Sequence, residues 1–425
     1  MSHDYTRPPQ ASSHPPTPSL PGQASVPKDA PLPVSELVPS PRLLLGPGPS
    51  LVHPRVLRAM STPLLGHLDP EFLTIMNEVQ ALLRTVFQTD NPFTIAVSGT
   101  GSAGMEAALV NLIEPGDTVI VGVNGVFGAR MADIVGRAGG KAVKIEVPWG
   151  QIIDPHRLED ALKQAGSVKA VALVHAETST GAHQPMEEIG PLCRRYGALL
   201  VADAVTSLAG VPVRVDAWGI DACYSGTQKC LSCPPGLAPL TLSPRALAVV
   251  KGRKTKVQSW YLDLSMIADY WAEGKRAYHH TAPISMIYAL REALRIVVEE
   301  GLEARFDRHD RNSAALMAGL ATLGCEPQAQ AGHRLPTLNC VRVPAGVDEA
   351  IVRKTLLAEF GIEIGGGLGP LAGRVWRIGL MGESSRHEHV VTLLSTLEQI
   401  FGQHGWTKQS GAALTAALQA YATAT

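Results

Sequence analysis

The hydrophobic residues of this chain follow two kinds of pattern. Between Phe72 and Phe87 apolar side chains recur every three or four residues, which predicts an amphipathic helix. From residue 93 onward, short apolar runs are separated by helix-like stretches or loops. These runs occupy residues 93–98, 118–123, 142–147, 168–174, 198–202, 220–224 and 237–242. One of the stretches between them is predicted to be a helix that opens with Pro185 near its first turn and ends at Gly197. Strands that alternate with helices indicate parallel βαβ units, so the sequence predicts an α/β fold whose sheet is covered on both faces.

The pattern changes after about residue 280, where longer helical segments begin. Two helices and two strands are predicted in this part, at residues 283–300, 303–323, 337–343 and 374–380. A last helix is predicted to begin at Ser385, because Ser385-x-x-Glu388 has the spacing of a capping box. This order of elements predicts a second, smaller α+β domain.

The chain therefore divides into four predicted parts. Residues 1–40 contain ten of the 32 prolines and few aromatic or β-branched residues, which predicts a disordered or extended arm. We expect a large domain over residues 41–300 and a small C-terminal domain over residues 301–405. Residues 406–425 are polar and rich in alanine, so they are expected to form either a frayed helix or a tail.

Composition and charge argue against several classes of protein. Lys and Arg total 37 against 38 Asp and Glu, so no global basic field favours nucleic acid or a membrane surface. Among six cysteines only Cys230 and Cys233 have CxxC spacing, and no second pair completes a zinc site, so reduced thiols and no metal are expected. Without a secretory signal or an apolar run near the roughly 18 residues of a membrane span, a cytoplasmic protein is expected.

A glycine-rich loop follows the first predicted strand. Ser98-Gly99-Thr100-Gly101-Ser102-Ala103-Gly104 opens a helix, and backbone N–H groups at a helix start suit a phosphate. The spacing also matches the dinucleotide fingerprint, but the acidic residue that this fingerprint needs after the second strand is replaced by Asp117 in the turn before it. A Walker A loop is excluded because no Lys-Ser or Lys-Thr closes the segment. The loop is either a phosphate site or a simple tight turn.

Two ionisable residues lie at the ends of later strands. Asp203 ends the apolar run 198–202, where a carboxylate is costly unless paired; it is either a helix N-cap or a buried anion facing a cationic ring nitrogen. Lys229 follows the run 220–224 among small and apolar residues. Most lysines are solvated at the surface, but a desolvated lysine is the nucleophile that forms Schiff bases. A phosphate loop, a strand-end aspartate and a strand-end lysine together are what pyridoxal 5′-phosphate (PLP) requires. Phe127 could stack on its ring or be a core aromatic.

With these residues in place, the chain resembles the class V PLP-dependent aminotransferases of fold type I, and in particular the alanine–glyoxylate and serine–pyruvate group. The likeness runs from about residue 42 to 403. The matching motifs are Gly46-Pro47-Gly48-Pro49-Ser50, Ser98–Gly104 with Glu106-Ala107-Ala108, Asn124-Gly125, Glu177-Thr178-Ser179-Thr180-Gly181, Asp203, Ser225-Gly226-Thr227-Gln228-Lys229, Tyr278-His279-His280-Thr281, Gly367-Leu368-Gly369 and Arg377-Ile378-Gly379-Leu380. The resemblance implies a large domain with a mainly parallel seven-stranded sheet and a smaller C-terminal α+β domain.

The resemblance implies a role for each matching residue at the cofactor. Lys229 would hold PLP as a Schiff base, Asp203 would pair with the pyridine nitrogen, and Val205 would pack beneath the ring. The other residues at the cofactor would be Thr100, Gly101, Ser102 and Gln228 around the phosphate, Phe127 on the ring and Thr178 near the ring oxygen. Tyr278 and Thr281 would reach the phosphate of the neighbouring subunit, so that the active sites of a homodimer are shared.

The resemblance also implies the reaction. Arg377 would bind the substrate carboxylate with help from the backbone near Gly48, and a planar guanidinium suits that task. The amino group of alanine or serine would pass to glyoxylate or pyruvate by a ping-pong aldimine/ketimine mechanism. Animal members of the family carry Trp where this chain has Phe127 and His where it has Ser102, which bears on substrate preference.

Three other functions are weighed against this one. Ureidoglycine–glyoxylate aminotransferases share the acceptor, although the segment Tyr278–Thr281 favours the alanine and serine group. Cysteine desulfurases and related lyases share the fold but place His before the lysine, where this chain has Gln228. From a different class, the loop Gly99–Gly104 could belong to an NAD-dependent oxidoreductase.

Overall fold

Fifteen strands and thirteen helices make up the described part of the chain, which in this computed structural model comprises residues 35–272, 276–406 and 410–423. The strands are β1 (Leu43–Leu44), β2 (Phe93–Ser98), β3 (Thr118–Val123), β4 (Lys141–Glu146), β5 (Ala170–Val174), β6 (Ala176–Glu177), β7 (Ala182–His183), β8 (Leu199–Asp203), β9 (Ala222–Tyr224), β10 (Leu237–Leu242), β11 (Glu326–Pro327), β12 (Leu338–Arg342), β13 (Ile362–Glu363), β14 (Gly365–Gly366) and β15 (Val375–Gly379).

The helices vary from seven to 21 residues in length. They are α1 (Pro54–Met60), α2 (Pro70–Phe87), α3 (Gly101–Leu112), α4 (Val126–Arg137), α5 (Pro155–Ala165), α6 (Ile189–Arg195), α7 (Pro244–Lys251), α8 (Leu264–Trp271), α9 (Ile284–Glu300), α10 (Leu302–Thr322), α11 (Glu349–Phe360), α12 (His387–Gln403) and α13 (Ala412–Thr423). Two short 3₁₀ helices lie at Gly369–Leu371 and Gly382–Ser384.

A seven-stranded sheet forms the centre of the larger part of the fold, in the order β2-β10-β9-β8-β5-β3-β4. Only β10 runs antiparallel, against both β2 and β9. Each of the seven apolar runs of the sequence overlaps one of these strands, with ends that differ by at most two residues. The carboxyl ends of β2, β8 and β9 therefore meet at one edge, which is where open α/β sheets place their ligands.

Helices cover both faces of this sheet, so its central strands are buried throughout. All five residues of β5 and of β8 are buried, and all of them except Asp203 belong to one hydrophobic cluster that extends from Val56 to Val297. The covering helices have well-formed starts: Asp69 and Asp154 accept hydrogen bonds from the backbone of α2 and α5, and proline occupies the first helical position of both. The mainly parallel α/β fold predicted from the sequence is confirmed.

A four-stranded antiparallel sheet, β11-β12-β15-β14, lies in the C-terminal part of the chain. Its cluster of buried side chains includes Trp376, Leu394 and Phe401, and also Leu45 from near the N-terminal end of the described chain. Leu45 is drawn in because β1 pairs in parallel with β13. The predicted domain boundaries at residues 300 and 405 stay a prediction.

The segment expected to be a frayed helix or a tail contributes to this second cluster. Residues 412–423 form α13, whose Ala413 and Ala417 are fully buried against α10 and α12. The Glu398 carboxylate accepts a hydrogen bond of 2.7 Å from the backbone N–H of Ala413, and the Tyr421 hydroxyl donates one of 2.7 Å to Asn312. Small alanine side chains allow this close packing, which the local composition did not reveal.

Two predicted helix starts are wrong. The last long helix begins at His387 with Arg386 as its N-cap and no side-chain capping bond, so Ser385 does not form the expected capping box. The Ser385 hydroxyl instead accepts a hydrogen bond from Asn312. Helix α6 begins at Ile189 and not near Pro185, because the Gln184 side chain bonds both backbone groups of Ile153 and holds the preceding chain extended.

Some expectations fall on other parts of the chain. Most of the proline-rich arm, residues 1–34, lies outside the described residues, and residues 35–40 are exposed without regular structure. No helix of the described residues is long and apolar enough to cross a membrane. In the same residues no group of three His, Cys, Asp or Glu side chains is placed to hold a metal ion.

Candidate active site

Lys229 lies in the loop after β9, with 9% of its surface exposed. Its Nζ donates a hydrogen bond to the backbone oxygen of Pro47. Gly48 packs directly against it: a Cβ there would lie 2.5 Å from Nζ, and the backbone of Gly48 has a φ of +114° that favours glycine. Burial lowers the pKa of Lys229 to about 8, with the Arg377 charge acting in the same direction. A neutral, nucleophilic amine is therefore accessible near neutral pH.

Asp203 is the last residue of β8 and is 2% exposed. Its Oδ1 accepts a hydrogen bond of 2.9 Å from the backbone of Val205, and its Oδ2 accepts one of 3.0 Å from the Tyr224 hydroxyl. Turns and no helix follow it, so Asp203 is not a helix N-cap. Burial raises its pKa to about 6, while these bonds and the Lys229 charge favour the carboxylate. A cation placed beside this carboxylate would be strongly stabilised.

The glycine-rich loop connects β2 to α3 at the same edge of the sheet. Thr100 is the N-cap of α3 and makes no side-chain capping bond, and the side chains of Thr100 and Ser102 are exposed. Gly101 packs closely on the neighbouring loop, since a Cβ there would lie 3.1 Å from the Val205 Cγ2. The N-terminus of α3 can therefore bind an anion next to the loop that follows Asp203.

Gln228 immediately precedes Lys229 and is only partly exposed. Among the described residues its Oε1 is the one buried side-chain oxygen or nitrogen without a hydrogen-bond partner. Its backbone oxygen accepts a hydrogen bond of 2.9 Å from the Ser50 N–H. A buried polar atom without a partner is costly, and a ligand that this amide contacts would relieve the cost.

Phe127 lies in the first turn of α4, half-buried against the larger cluster. The Arg130 guanidinium carbon lies 5.0 Å from the centre of its ring, and Arg130 Nη1 donates to the Ser102 hydroxyl over 3.1 Å. These contacts connect the aromatic side chain to the glycine-rich loop.

Glu177 is a site residue to which the sequence analysis gave no role. It is fully buried, and its carboxylate accepts hydrogen bonds from the backbone of Phe127 (3.2 Å), Gly128 (3.4 Å) and Ser179 (3.1 Å). Burial raises its pKa to about 7. Its place at the start of the motif Glu177–Gly181, shortly after an apolar run, was the available signal in the sequence. The carboxylate fixes the start of α4 and with it the position of Phe127.

Arg377 lies in β15 of the small sheet and is 7% exposed. Its Nε donates to the Gly366 oxygen over 2.7 Å, and its Nη1 approaches the Thr178 oxygen at 3.4 Å. The Thr178 hydroxyl bonds that of Thr206 in the loop after Asp203. Burial lowers the pKa of Arg377, which has no carboxylate at ion-pair distance among the described residues. A buried guanidinium without a carboxylate partner is suited to bind a ligand that carries a carboxylate.

Tyr278 and Thr281 are exposed and form no part of the pocket around Lys229. The Tyr278 ring lies 5.3 Å from that of His67, with 62% of the residue exposed. His280, which lies between Tyr278 and Thr281 in the sequence, contacts the Ser98 hydroxyl through its Nε2 at 2.9 Å. Their predicted role at a neighbouring subunit stays a prediction.

The pocket fits PLP in chemistry as well as in position. The free N-terminus of α3 suits the phosphate, the buried Asp203 suits a protonated ring nitrogen, and Lys229 suits the aldehyde. The partnerless Gln228 oxygen and the close approach of Gly48 to Lys229 are features of a site built around a ligand.

Residues 43–372 match the model of the class V aminotransferases, and the chain belongs to this family. It is 44% identical over 400 residues to the (S)-ureidoglycine–glyoxylate transaminase of Bacillus subtilis, covering 89% of this chain and 95% of that protein. It is 42% identical to the alanine–glyoxylate aminotransferase of Drosophila melanogaster, covering 85% and 92%. The solved alanine–glyoxylate aminotransferase of Nostoc sp. superposes with a TM-score of 0.85 at 52% identity, covering 87% and 98%. The predicted fold and aminotransferase class are confirmed.

Proposed function

We propose that this aminotransferase binds PLP in the pocket described above and transfers the amino group of a small amino acid, alanine or serine, to glyoxylate or pyruvate. The observation that carries the proposal is the burial of Lys229, Asp203 and Arg377, which are 9%, 2% and 7% exposed. Arg377 reaches the loop after Asp203 through Thr178, whose hydroxyl bonds that of Thr206. When bound, PLP supplies an electron sink for the bond broken at the amino acid Cα. Lys229 holds the cofactor, and its released amine then moves the Cα proton.

The other residues of the pocket bind and orient. Thr100, Gly101, Ser102 and Gln228 hold the phosphate, and the Asp203 carboxylate keeps the ring nitrogen protonated. Phe127 and Val205 would pack against the cofactor ring, and Thr178 would contact its oxygen. Arg377 binds the substrate carboxylate, with the backbone at Gly48 beside it. A planar guanidinium can donate to a carboxylate in a bidentate manner.

A panel of amino donors tests the proposal. Alanine is supplied with glyoxylate, and serine with glyoxylate or pyruvate, and keto-acid formation is followed together with the visible spectrum of the bound cofactor. We expect turnover with at least one of these three pairs and none in Lys229→Ala. Lys251→Ala, a change on the exposed surface, is the control and should retain wild-type rates. Turnover by Lys229→Ala would refute the role of Lys229, and no reaction with either donor would refute the substrate.

A second donor, (S)-ureidoglycine, is favoured by one observation. The Bacillus subtilis relative of that specificity matches 89% of the chain at 44% identity. Ureidoglycine carries a carbamoyl group that alanine lacks, so its binding requires polar partners beyond Arg377. Comparison of kcat/KM for the two donors with glyoxylate decides between them. A ratio above about 100 in favour of ureidoglycine would overturn the alanine or serine assignment.

We also propose that the protein is a homodimer with shared active sites. Large hydrophobic side chains are exposed on this single chain: Trp260 at 60%, Tyr278 at 62% and Leu64 at 68%. Exposed hydrophobic patches mark interaction surfaces, and these side chains are candidates for one. Sedimentation equilibrium should give twice the chain mass, and Tyr278→Ala should weaken PLP binding. A monomer with full activity would contradict the proposal.

A cytoplasmic location and the domain division remain proposals as well. All six cysteines are free and buried among the described residues, which supports a reducing compartment. Cell fractionation tests the location. We place the large domain at residues 41–300 and the small one at 301–405. The two largest hydrophobic clusters support this division, since each lies mainly in one range; the exceptions are Leu45 and the residues of α13 in the second cluster. Limited proteolysis that cuts first within either range would contradict these boundaries.

A further inference from the structure

Two loops at the carboxyl edge of the sheet carry the proposed catalytic groups. The first follows Asp203 and contains Ala209, and the second follows Lys229 and contains Cys230 and Ser232. Ala209 has a φ of +65° and Ser232 a φ of +50°. Non-glycine residues in the left-handed region cost about 1 kcal/mol or more, so the surrounding structure must hold these loops in place.

Arg305 contacts both loops from the first turn of α10 and is 3% exposed. Its Nε donates to the Ala209 oxygen over 2.9 Å, and its Nη2 donates to the Cys230 oxygen over 2.6 Å. Its Nη1 pairs with the Glu300 carboxylate at 2.5 Å. The rigid plane of one guanidinium therefore sets the position of the Ala209 carbonyl relative to that of Cys230.

The bond to Cys230 acts on Lys229 through the backbone. The Lys229 oxygen accepts a hydrogen bond of 2.7 Å from the Ser50 hydroxyl, so two successive carbonyls are held, one by Ser50 and the next by Arg305. The Glu383 N–H completes the support by donating to the Ser232 hydroxyl over 2.7 Å. Fixed carbonyls fix the direction in which the Lys229 side chain leaves the backbone.

Burial of the charged Arg305 guanidinium at this position costs free energy, which argues for a function beyond packing. The start of a helix is unfavourable for a positive charge, and Glu300 is shared with a second cation, Arg308, at 2.6 Å. Apolar side chains of similar volume often replace buried ion pairs without loss of stability. Fixed hydrogen bonds to two carbonyls, in contrast, are something that an apolar side chain cannot provide.

We propose that Arg305 is a positioning residue for the reaction: it locks the loop after Lys229 to the loop after Asp203, and so fixes the Lys229 amine relative to the cofactor ring. This inference rests on the proposed role of Lys229. It predicts that loss of the guanidinium plane lowers the rate of the chemical step more than it alters substrate binding by Arg377.

The test compares Arg305→Lys and Arg305→Met with a matched control in the cofactor-loaded enzyme. Arg245 is a partly exposed arginine that contacts residues at the amino edge of the same sheet. It pairs with Asp221 at 3.2 Å and donates to the Ala198 oxygen over 3.1 Å, just before β9 and β8 respectively. Arg245→Lys therefore removes a planar guanidinium that donates to a backbone carbonyl outside the pocket.

Both Arg305 variants should lower kcat about tenfold to hundredfold, because misplacement of a reacting group by about 1 Å has an effect of this size. The donor KM should stay within about threefold, and the pH at which the visible absorbance of the bound cofactor titrates should move. Arg245→Lys should lower the thermal midpoint and leave kcat and this titration as in wild type. Glu300→Gln, which frees Arg305 without removing it, should act in the same direction as Arg305→Lys but more weakly.

Unchanged kcat and an unchanged titration in the Arg305 variants, with only a lower thermal midpoint, would overturn the proposal. If these variants do not fold, the same two measurements on Glu300→Gln decide the question. Borohydride reduction fixes the cofactor to the lysine that holds it, and peptide mapping then identifies that lysine. If the cofactor is not attached to Lys229 in wild type, the role of Lys229 is refuted. If it is attached to Lys229 and the kinetics of Arg305→Lys are unaltered, only the positioning role of Arg305 is refuted.

Discussion

The buried amine of Lys229 should destabilise the protein when no cofactor is bound. Burial lowers its pKa from 10.5 to about 8, and one pKa unit corresponds to about 1.4 kcal/mol. Near pH 7 the amine is protonated in both the folded and the unfolded chain, so the folded state bears the full cost, about 3 kcal/mol. Replacement of Lys229 by methionine removes this cost together with the hydrogen bond to Pro47.

The pH dependence of the free energy of unfolding separates the effect of the Lys229 charge from the loss of the hydrogen bond to Pro47. Between pH 8 and 10.5 the unfolded chain keeps a proton that folded Lys229 has released, so the free energy of unfolding of wild type rises relative to that of Lys229→Met. The penalty should shrink from about 3 kcal/mol at pH 7 to under about 1 kcal/mol at pH 10. The cost of leaving the Pro47 oxygen unpaired is the same at both pH values and cancels.

Urea unfolding of protein stripped of cofactor measures this difference directly. The free energies of unfolding of wild type and Lys229→Met are compared at pH 7, 8.5 and 10, with Lys251→Met as a control on the exposed surface. The gap between wild type and Lys229→Met should close by about 2 kcal/mol from pH 7 to 10, while the control stays constant. A gap that does not change with pH would refute the desolvation of Lys229 and the account of its nucleophilicity.

Three further results are expected. Asp203→Asn should lower kcat about 100-fold to 1000-fold in steady-state assays, because the charge that stabilises a protonated ring nitrogen is lost; a loss below threefold would contradict this role. Arg377→Lys should raise the donor KM at least about tenfold with a smaller change in kcat, since a point charge replaces a planar fork; an unchanged KM would show that the carboxylate binds elsewhere. Deletion of residues 412–425 should lower the thermal midpoint measured by circular dichroism, because Ala413 and Ala417 leave the second cluster; an unchanged midpoint would contradict the packing of α13.

Strand positions followed from the sequence because the central strands are buried on both faces. A strand such as β5 or β8 must then be apolar at nearly every position, and the run is visible without knowledge of its neighbours. The pairing of β1 with β13 has no such signal, since it joins residues more than 300 positions apart. The capping box predicted at Ser385 also failed because of a contact between distant parts of the chain: the Ser385 hydroxyl accepts a hydrogen bond from Asn312.

The pocket was predictable to the extent that its residues end strands of the large sheet. Asp203 and the loop at Gly101 follow this rule, and Lys229 comes shortly after β9. Glu177 and Arg305 were missed for different reasons. Glu177 lies within a recognised motif whose individual contacts only the structure reveals. Arg305 lies in a helix rich in charged residues, where a cation is normally solvated, and only the packing of α10 against the two loops makes it buried.

The energetics of the pocket link cofactor binding to the stability of the chain. Lys229, Asp203 and Glu177 are each buried with a pKa displaced toward the neutral form, so each reduces the stability of the chain without cofactor near neutral pH. A cofactor that brings a phosphate, a protonated ring nitrogen and an aldehyde removes two of these costs by pairing Asp203 and consuming the Lys229 amine. At 100 times its Kd a ligand adds about 2.7 kcal/mol of stability, close to the cost of Lys229 alone. Binding and folding are therefore coupled in this protein, and a substitution that weakens either loop is expected to reduce cofactor occupancy before it unfolds the chain.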